Sequence, residues 1–179
     1  MKHLFYLKDG TQALLRNIEK NDAKKVLEYL CIVGGETDFL LFDEHGLDLT
    51  IKQEEMILDQ ISKHPVALMI GCFIGEDIVA ISNLSIKDRA RIQHIAALGI
   101  SVKKVYWNQK IGTEMLKFLI DYSIENKQIK MIHLEVRSDN LRAIKVYQNM
   151  GFESVGMIKK AVKIDDKYYS NLLMIRDVS

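Results

Sequence analysis

The stretch that decides the fold runs from Val136 to Phe152 and has the sequence VRSDNLRAIKVYQNMGF. Its first residue ends a strand predicted for Met131 to Val136, where branched apolar residues are frequent. Asn140 stands where a helix N-cap is expected, because its side-chain oxygen can accept a hydrogen bond from the first turn. We predict a helix from Leu141 to Met150, and Gly151 is typical of the residue that ends one. The stretch therefore predicts a strand, a helix and the start of a further strand.

Upstream of it, the segment VYWNQKIGT at Val105 to Thr113 leads into a predicted helix from Ile111 to about Asn126. The chain from Ile95 to Arg137 is then a strand, a helix and a strand, and a helical crossover of this length joins parallel strands. Free N–H groups at the start of such a helix favour an anion, typically phosphate. In a second interpretation, Gly112 only lets the helix pack closely on the sheet.

The rest of the chain predicts strands that pair mainly antiparallel, around two N-terminal helices. The first of those elements are a strand at Gln12 to Ile18, a helix from Ala23 towards Val33 that ends at Gly34-Gly35, and a second helix that Thr50 and Gln53 open at capping-box spacing and that stops before Pro65. The others are a hairpin of Val66 to Ile74 and Ile78 to Ile86, a strand at Arg91 to Val105, and a hairpin of Phe152 to Ile164 and Tyr168 to Ile175. We expect one α+β domain spanning residues 1–179, with about seven strands, one parallel pair and about four helices.

Composition excludes several classes of function. The 179 residues carry 25 Lys+Arg against 24 Asp+Glu, so there is no electrostatic case for a nucleic acid or membrane-surface partner. The histidines are scattered, and Cys31 and Cys72 are far apart, so no metal site is expected and both cysteines are predicted to be small core residues. No apolar run approaches a membrane span of roughly 18 residues, and the first apolar stretch is too short for a signal peptide, so we expect a soluble cytoplasmic protein.

The two quoted stretches together resemble the GCN5-related N-acetyltransferase superfamily. That superfamily carries the pattern Asn-x-x-Ala-x-x-x-Tyr followed by Gly-Phe, which Asn140, Ala143, Tyr147, Gly151 and Phe152 match. The order of predicted elements agrees, so the resemblance covers nearly the whole chain. Residues 36–40 and 167–169 are similar to a bacterial branch that acts on small substrates.

The pyrophosphate loop of that superfamily, Gln/Arg-x-x-Gly-x-Gly/Ala, is matched only in part. Trp107 stands at its first position, Lys110 at its first glycine and Gly112 at its second. Asn108 can adopt the left-handed conformation more readily than most residues. The same conformation at Lys110 would cost roughly 1–2 kcal/mol, partly offset by a positive charge near phosphate.

The resemblance implies acetyl-CoA as the acyl donor, bound where the two parallel strands of the mixed, mostly antiparallel sheet splay apart. Ile100 and Val102 would then offer backbone groups to the pantetheine arm. The implied contacts of the rest of the donor are Asn108, Gln109, Lys110, Ile111, Gly112, Thr113, Asn140 and Tyr147. No metal ion is implied.

Tyr147 and Asn140 each have two interpretations. Tyr147 is either a core aromatic residue or, as the resemblance implies, the general acid that protonates the departing CoA thiolate. Its phenol, with a pKa near 10, needs mainly the right position to serve a thiol with a pKa of about 8.5. Asn140 is a helix cap, a contact of the donor, or both.

The general base is the open part of the mechanism. An alkyl ammonium with a pKa of about 10.4 must lose a proton at neutral pH before it can attack, and an α-amino group near 8 needs less help. Many members place a glutamate in the strand before the phosphate loop, where this chain has Ala97. His94, Glu135 and Glu36 are the candidate bases, directly or through water, and each is alternatively a solvated or structural residue.

The resemblance also implies a backbone N–H near Gly99 to Ser101 that stabilises the thioester oxyanion, with Gly99 supporting a β-bulge. A loop at Glu36 to Asp43, the second helix and the final hairpin would hold the acceptor. The final strand edges could mediate a homodimer.

The sequence leaves three hypotheses for the function of the protein. The first is an N-acetyltransferase that moves an acetyl group from acetyl-CoA directly to a small-molecule or peptide amine in a ternary complex. The alternative is a non-catalytic acyl-CoA-binding or regulatory module of the same fold, suggested by Lys110 and Ala97. A third, an ordinary α/β nucleotide binder, is disfavoured by the Asn140 to Phe152 pattern.

Overall fold

A computed structural model of the chain describes residues 2–179, and its centre is one eight-stranded sheet. Its strands are β1 (Lys2–Tyr6), β2 (Gln12–Asn17), β3 (Leu68–Ile74), β4 (Asp77–Ile86), β5 (Ile95–Val102), β6 (Met131–Arg137), β7 (Glu153–Ile164) and β8 (Lys167–Asp177). Its helices are α1 (Ala23–Glu36), α2 (Ile51–Lys63), α3 (Ile111–Asn126) and α4 (Leu141–Asn149).

The strands lie in the order β1-β2-β3-β4-β5-β6-β8-β7. Of the neighbouring pairs, β5 and β6 are parallel and the others are antiparallel. The predicted α+β fold, with a helical crossover between two parallel strands, is confirmed.

The prediction of about seven strands leaves out one of the eight observed strands, β1. This strand pairs with β2 from Lys2↔Arg16 to Tyr6↔Gln12 and forms one edge of the sheet. Its Leu4 and Tyr6 side chains are more than half exposed. An edge strand that buries little apolar surface gives a weak sequence pattern. Backbone pairing with β2 holds β1 in the sheet.

The predicted end of α1 at Gly34-Gly35 is also wrong, because the helix continues to Glu36. A Cβ atom at position 34 would lie only 1.9 Å from the carbonyl oxygen of Asp43. Glycine at this position therefore allows the loop after α1 to approach the helix, and it does not end the helix.

The start of α2 follows the predicted capping box. The backbone N–H of Gln53 donates to Thr50 Oγ1 over 3.3 Å, and the backbone N–H of Thr50 donates to Gln53 Oε1 over 2.8 Å. By contrast, β5 is shorter than predicted, since it spans Ile95–Val102 and a 3₁₀ turn at Lys104–Tyr106 follows it. The local cap was predictable, whereas the ends of the apolar run were not.

The two cysteines occupy different environments. Cys72 is buried in the sheet, as predicted, but Cys31 is exposed on α1, so its assignment to the core is wrong. Among residues 2–179, no three His, Cys, Asp or Glu side chains are grouped closely enough to hold a metal ion.

Helices α1 and α2 cover one face of the sheet, and α3 and α4 cover the other. Alternate residues of β3 show this: Ile70 and Cys72 join the buried cluster that contains α3, whereas Phe73 joins the cluster that contains α1 and α2. In the part of the chain from residue 2 to residue 179, none of the helices combines the length and the hydrophobicity needed to cross a membrane.

The parallel pair separates soon after it forms. Strands β5 and β6 pair only from Ile95↔Met131 to Ala97↔His133, although both strands continue beyond these residues. The remaining halves of the two strands therefore diverge and leave a gap in the middle of the sheet. This gap positions the candidate site.

Candidate active site

A cavity of about 870 Å³ occupies the gap between β5 and β6. Its lining includes Val26 and Glu54 from the helices on one face of the sheet, and Ile111 and Tyr147 from those on the other. The cavity therefore runs through the sheet and is bounded by both helical layers. Its size is within the range of small-molecule and cofactor sites.

The backbone of β5 presents hydrogen-bonding groups to this cavity. The N–H of Lys103 donates to the carbonyl oxygen of Val79 in β4. In an antiparallel pair, the backbone N–H and C=O groups of alternate residues point to the same side, so those of Lys103 and of every second residue before it point towards β4. Ile100 and Val102 alternate with these, so their N–H and C=O groups point towards the gap, and both residues line the cavity. The carbonyl of Val102 already accepts a hydrogen bond from Trp107 Nε1 over 2.8 Å.

The turn before α3 contains two residues in the left-handed conformation, Asn108 with φ 62° and Lys110 with φ 70°. Lys110 is the N-cap of α3 and makes no side-chain capping bond. Both residues line the cavity together with the first helical turn, Ile111, Gly112 and Thr113. Uncapped N–H groups at this helix terminus form a site that favours an anion.

Gly112 is not required for packing of α3 on the sheet. A Cβ atom at this position would lie 4.0 Å from Ile100 Cδ1, which is an ordinary van der Waals contact. The interpretation of Gly112 as a close-packing residue is therefore wrong. Its lack of a side chain instead leaves the start of α3 open to the cavity.

Two residues of this region that were predicted to contact the donor, Gln109 and Asn140, differ in their position relative to the cavity. Gln109 does not belong to the cavity lining, and its Oε1 is buried without a hydrogen-bond partner among residues 2–179. Asn140 lines the cavity and caps α4, because its Oδ1 accepts from the N–H of Ala143 over 3.2 Å. The capping interpretation of Asn140 is confirmed.

The sequence analysis missed Arg142, which lies in the first turn of α4. Its guanidinium carbon lies 3.4 Å from the centre of the Trp107 ring, and both residues line the cavity. Stacking of this kind is favourable for a guanidinium on an indole. Arg142 thus adds a cation to the same end of the cavity as Lys110, and its position just after Asn140 was the available signal.

Tyr147 is both a core residue and a cavity residue. It is 9% exposed, and its ring meets Phe152 edge-on at 5.9 Å between centroids. Burial raises the pKa of Tyr147 to about 12, and no hydrogen bond or charge opposes this shift. The hydroxyl is therefore protonated at neutral pH and can donate a hydrogen bond.

Of the three predicted bases, the structure brings only Glu135 to the cavity. Glu135 accepts a hydrogen bond from Asn171 Nδ2 over 3.1 Å. Glu36 ends α1, and its Oε2 accepts from the backbone N–H of Lys104 over 2.6 Å, outside the lining. His94 is exposed and precedes β5 at the paired end, away from the gap.

The sequence analysis also missed a carboxyl group, Glu54, which lines the cavity from the first turn of α2. Glu54 is 3% exposed, and burial raises its pKa. The predicted acceptor elements do meet here: the loop after α1, helix α2 and the final hairpin contribute Phe42, Glu54 and Asn171 to the lining. The helical position of Glu54, four residues before the apolar Leu58, was the only signal for its inward orientation.

A third missed residue, Arg137, holds the loop after α1 against the sheet. Its guanidinium donates to both carboxylate oxygens of Asp139, over 2.9 and 2.7 Å, and to the carbonyl oxygen of Asp38 over 2.8 Å. It also lies against the rings of Phe39 and Tyr169, at 4.6 and 4.0 Å from their centres. Arg137 thus forms part of the cavity wall, and the protein engages three of its five N–H donors.

The β-bulge expected at Gly99 is absent from the described strands. The register of β4 and β5 is continuous from Ala80↔Val102 to Ile86↔Ala96. A Cβ atom at position 99 would lie 2.6 Å from Asn83 Oδ1, so glycine makes room for the Asn83 side chain. The prediction of a bulge is wrong, and Gly99 serves a close approach instead.

The sequence model of the acetyltransferase (GNAT) family matches residues 37–152 of this chain. The chain is also similar to the L-amino acid N-acetyltransferase AaaT of Escherichia coli strain K12. The two sequences are 27% identical over 124 residues, which is 69% of this chain and 76% of AaaT.

Solved structures agree with this result. A GNAT-family acetyltransferase from Streptococcus pneumoniae has a TM-score of 0.90 and 28% identity, and the alignment covers 93% of this chain and 99% of that one. The structure of yncA from Salmonella typhimurium with its cofactor acetyl-CoA has a TM-score of 0.81, with 93% and 94% coverage. At 11% identity, the second likeness concerns the fold alone.

Proposed function

Since this chain belongs to the acetyltransferase (GNAT) family and is an N-acetyltransferase, we propose that it transfers an acetyl group from acetyl-CoA directly to a primary amine in a ternary complex. The observation that carries this proposal is the single cavity through the sheet, which the start of α3, Tyr147 and two helical layers line together. Two reactants can meet in this gap without a covalent enzyme intermediate.

The residues at the α3 end fit the donor, which supplies an acetyl group activated as a thioester. The uncapped N–H groups of Ile111, Gly112 and Thr113 would bind the pyrophosphate, with positive charge from Lys110 and Arg142. Asn108 shapes the turn by its positive φ, and Asn140 lines the cavity nearby. Gln109 would support the turn from behind the lining.

The gap side of β5 fits the pantetheine arm. We assign the carbonyl of Ile100 and the N–H of Val102 to this arm, because the carbonyl of Val102 already accepts a bond from Trp107. Within Gly99 to Ser101, Ile100 is the residue whose N–H faces the gap, so we assign it to the thioester oxyanion.

Tyr147 is proposed as the proton donor to the sulfur. Its hydroxyl is protonated at neutral pH, and the residue lines the cavity. Because its pKa of about 12 exceeds the roughly 8.5 of a thiol, the hydroxyl acts first as a hydrogen-bond donor that stabilises negative charge on sulfur. Position, more than acidity, decides its contribution.

The acceptor is proposed to bind on the α1 and α2 face. The E. coli relative is an L-amino acid N-acetyltransferase, which supports a small amine as acceptor. Glu135 remains a proposed base because it reaches the cavity, directly or through water. Glu36 and His94 lie outside the lining and are not part of this proposal.

A two-substrate kinetic experiment tests the function. Purified protein is given acetyl-CoA and a panel of primary amines, thiol release is followed, and mass spectrometry identifies the acetylated amine. We expect thiol release that requires both substrates, with intersecting lines in double-reciprocal plots. Parallel lines would contradict direct transfer. Tight acetyl-CoA binding without release for any amine would favour the non-catalytic module.

A further inference from the structure

Glu54 is a buried carboxyl group for which the fold provides no partner. Burial is the only cause of its raised pKa, so no hydrogen bond or opposite charge within residues 2–179 offsets the loss of solvent. The residue is 3% exposed and still belongs to the lining of the cavity. It is also in the first turn of α2, where the helix dipole favours a negative charge.

The surroundings of Glu54 are apolar. The lining on this face of the sheet includes Leu30, Phe42, Ile57, Met69 and Ile81. An unpaired charge among such residues is unfavourable unless a partner is supplied. Since the folded chain supplies none, a cation that enters the cavity is the partner that this position fits.

The other charged groups on this face also favour a cation. Two further acidic residues, Asp38 and Glu135, also line it. The basic residues that line this face are His133 and Arg137, and the charge of Arg137 is already paired with Asp139. A ligand ammonium is therefore attracted, whereas a ligand carboxylate meets the acidic side chains and finds no arginine whose charge is unpaired.

We propose that Glu54 binds the ammonium group of the acceptor, and that the acceptor is a small primary amine with an apolar body and no carboxylate. This inference rests on the proposed function, because it names the substrate class of the same cavity. The apolar lining receives the body of the amine, and the buried carboxylate selects its charge.

In the proposed transfer, the ammonium held by Glu54 loses one proton to Glu135, directly or through water, and the neutral nitrogen forms a bond to the acetyl carbonyl carbon. The carbon–sulfur bond breaks, sulfur receives the proton of the Tyr147 hydroxyl, and the nitrogen loses a second proton. That proton restores Tyr147 through solvent, and Glu135 releases its own, so the products are the amide, CoA thiol and one proton.

Binding measurements test the inference without relying on turnover. 2-Phenylethylamine and the uncharged 2-phenylethanol are titrated calorimetrically into protein saturated with CoA. We expect the wild type to bind the amine at least about tenfold more tightly than the alcohol. Glu54→Gln, which keeps the size of the side chain, should lose this preference, and Glu55→Gln on the same helix should keep it.

A third ligand, L-phenylalanine, tests the absence of a carboxylate, and we expect it to bind at least about tenfold more weakly than the amine. The inference is overturned if the wild type does not bind 2-phenylethylamine, if Glu54→Gln keeps the preference, or if L-phenylalanine binds best. If Glu54→Gln loses the preference for the amine over the alcohol but the wild type transfers no acetyl group to any amine, the proposed function is refuted and the binding role of Glu54 is kept. Thermal melts of both variants check that they fold.

Discussion

The two faces of the sheet present opposite binding surfaces to one gap. The α3 and α4 face offers uncapped N–H groups and the cations Lys110 and Arg142, whereas the α1 and α2 face offers apolar side chains with the carboxyl groups of Glu54 and Glu135. The first surface suits an anion and the second suits a cation. The fold therefore offers an anionic ligand and a cationic ligand separate surfaces on either side of the same gap.

The largest expected effect comes from removing the hydroxyl group that we assign to the reaction itself. Tyr147→Phe should lower kcat by about 100-fold or more, which is the size of a general acid contribution. The dissociation constant of acetyl-CoA should change less than about twofold, because the ring and its contact with Phe152 remain. Steady-state kinetics and calorimetry measure the two quantities.

The matched control for this prediction is Tyr168→Phe, since Tyr168 is 57% exposed on β8 and does not line the cavity. Its kcat should equal that of the wild type. Full turnover by Tyr147→Phe would remove Tyr147 from the mechanism and leave it as a core aromatic residue.

A smaller effect should separate the two faces. Gly112→Ala adds a methyl group at the start of α3, so acetyl-CoA should bind about tenfold more weakly while 2-phenylethylamine binds unchanged. The free energy of unfolding should rise by about 1 kcal/mol, because alanine favours a helix more than glycine does. Chemical denaturation and calorimetry test both parts.

Gly156→Ala on the exposed strand β7 is the control, because open space surrounds that position. It should not change acetyl-CoA binding. Equal acetyl-CoA affinity in Gly112→Ala and the wild type would mean that the first turn of α3 does not bind the donor.

The smallest effect is expected at His94. Because this residue is exposed at the paired end of β5, His94→Gln should change kcat/KM by less than about twofold. Initial rates across pH 6 to 9 measure this. A drop of tenfold or more that follows histidine titration would restore His94 as a base and extend the site beyond the cavity.

The same contrast explains what the sequence could predict. The side of the gap that we assign to the donor is built from local features: a cap at Asn140, a helix start at Ile111 and a left-handed residue at Asn108, each of which depends on neighbours in the chain. The hairpins and the parallel pair followed from the lengths of connections between elements.

The acceptor side could not be predicted in this way, because it is assembled from distant segments. Glu54 and Glu55 look alike in sequence, and only the packing of α2 places Glu54 inside. Gly34 and Gly99 were assigned a helix stop and a bulge, but their roles depend on Asp43 and Asn83, which tertiary structure brings close. Contacts of this kind leave no periodic pattern.

The separation of β5 and β6 makes the sheet a partition with one opening. Residues that we assign to acetyl-CoA approach this opening from the α3 and α4 side, and those that we assign to the amine approach it from the α1 and α2 side. Neither reactant has to leave before the other can enter, so the shape of the molecule imposes no order of arrival. In the ternary complex that we propose, the carbonyl carbon of the donor and the nitrogen of the acceptor meet at this opening.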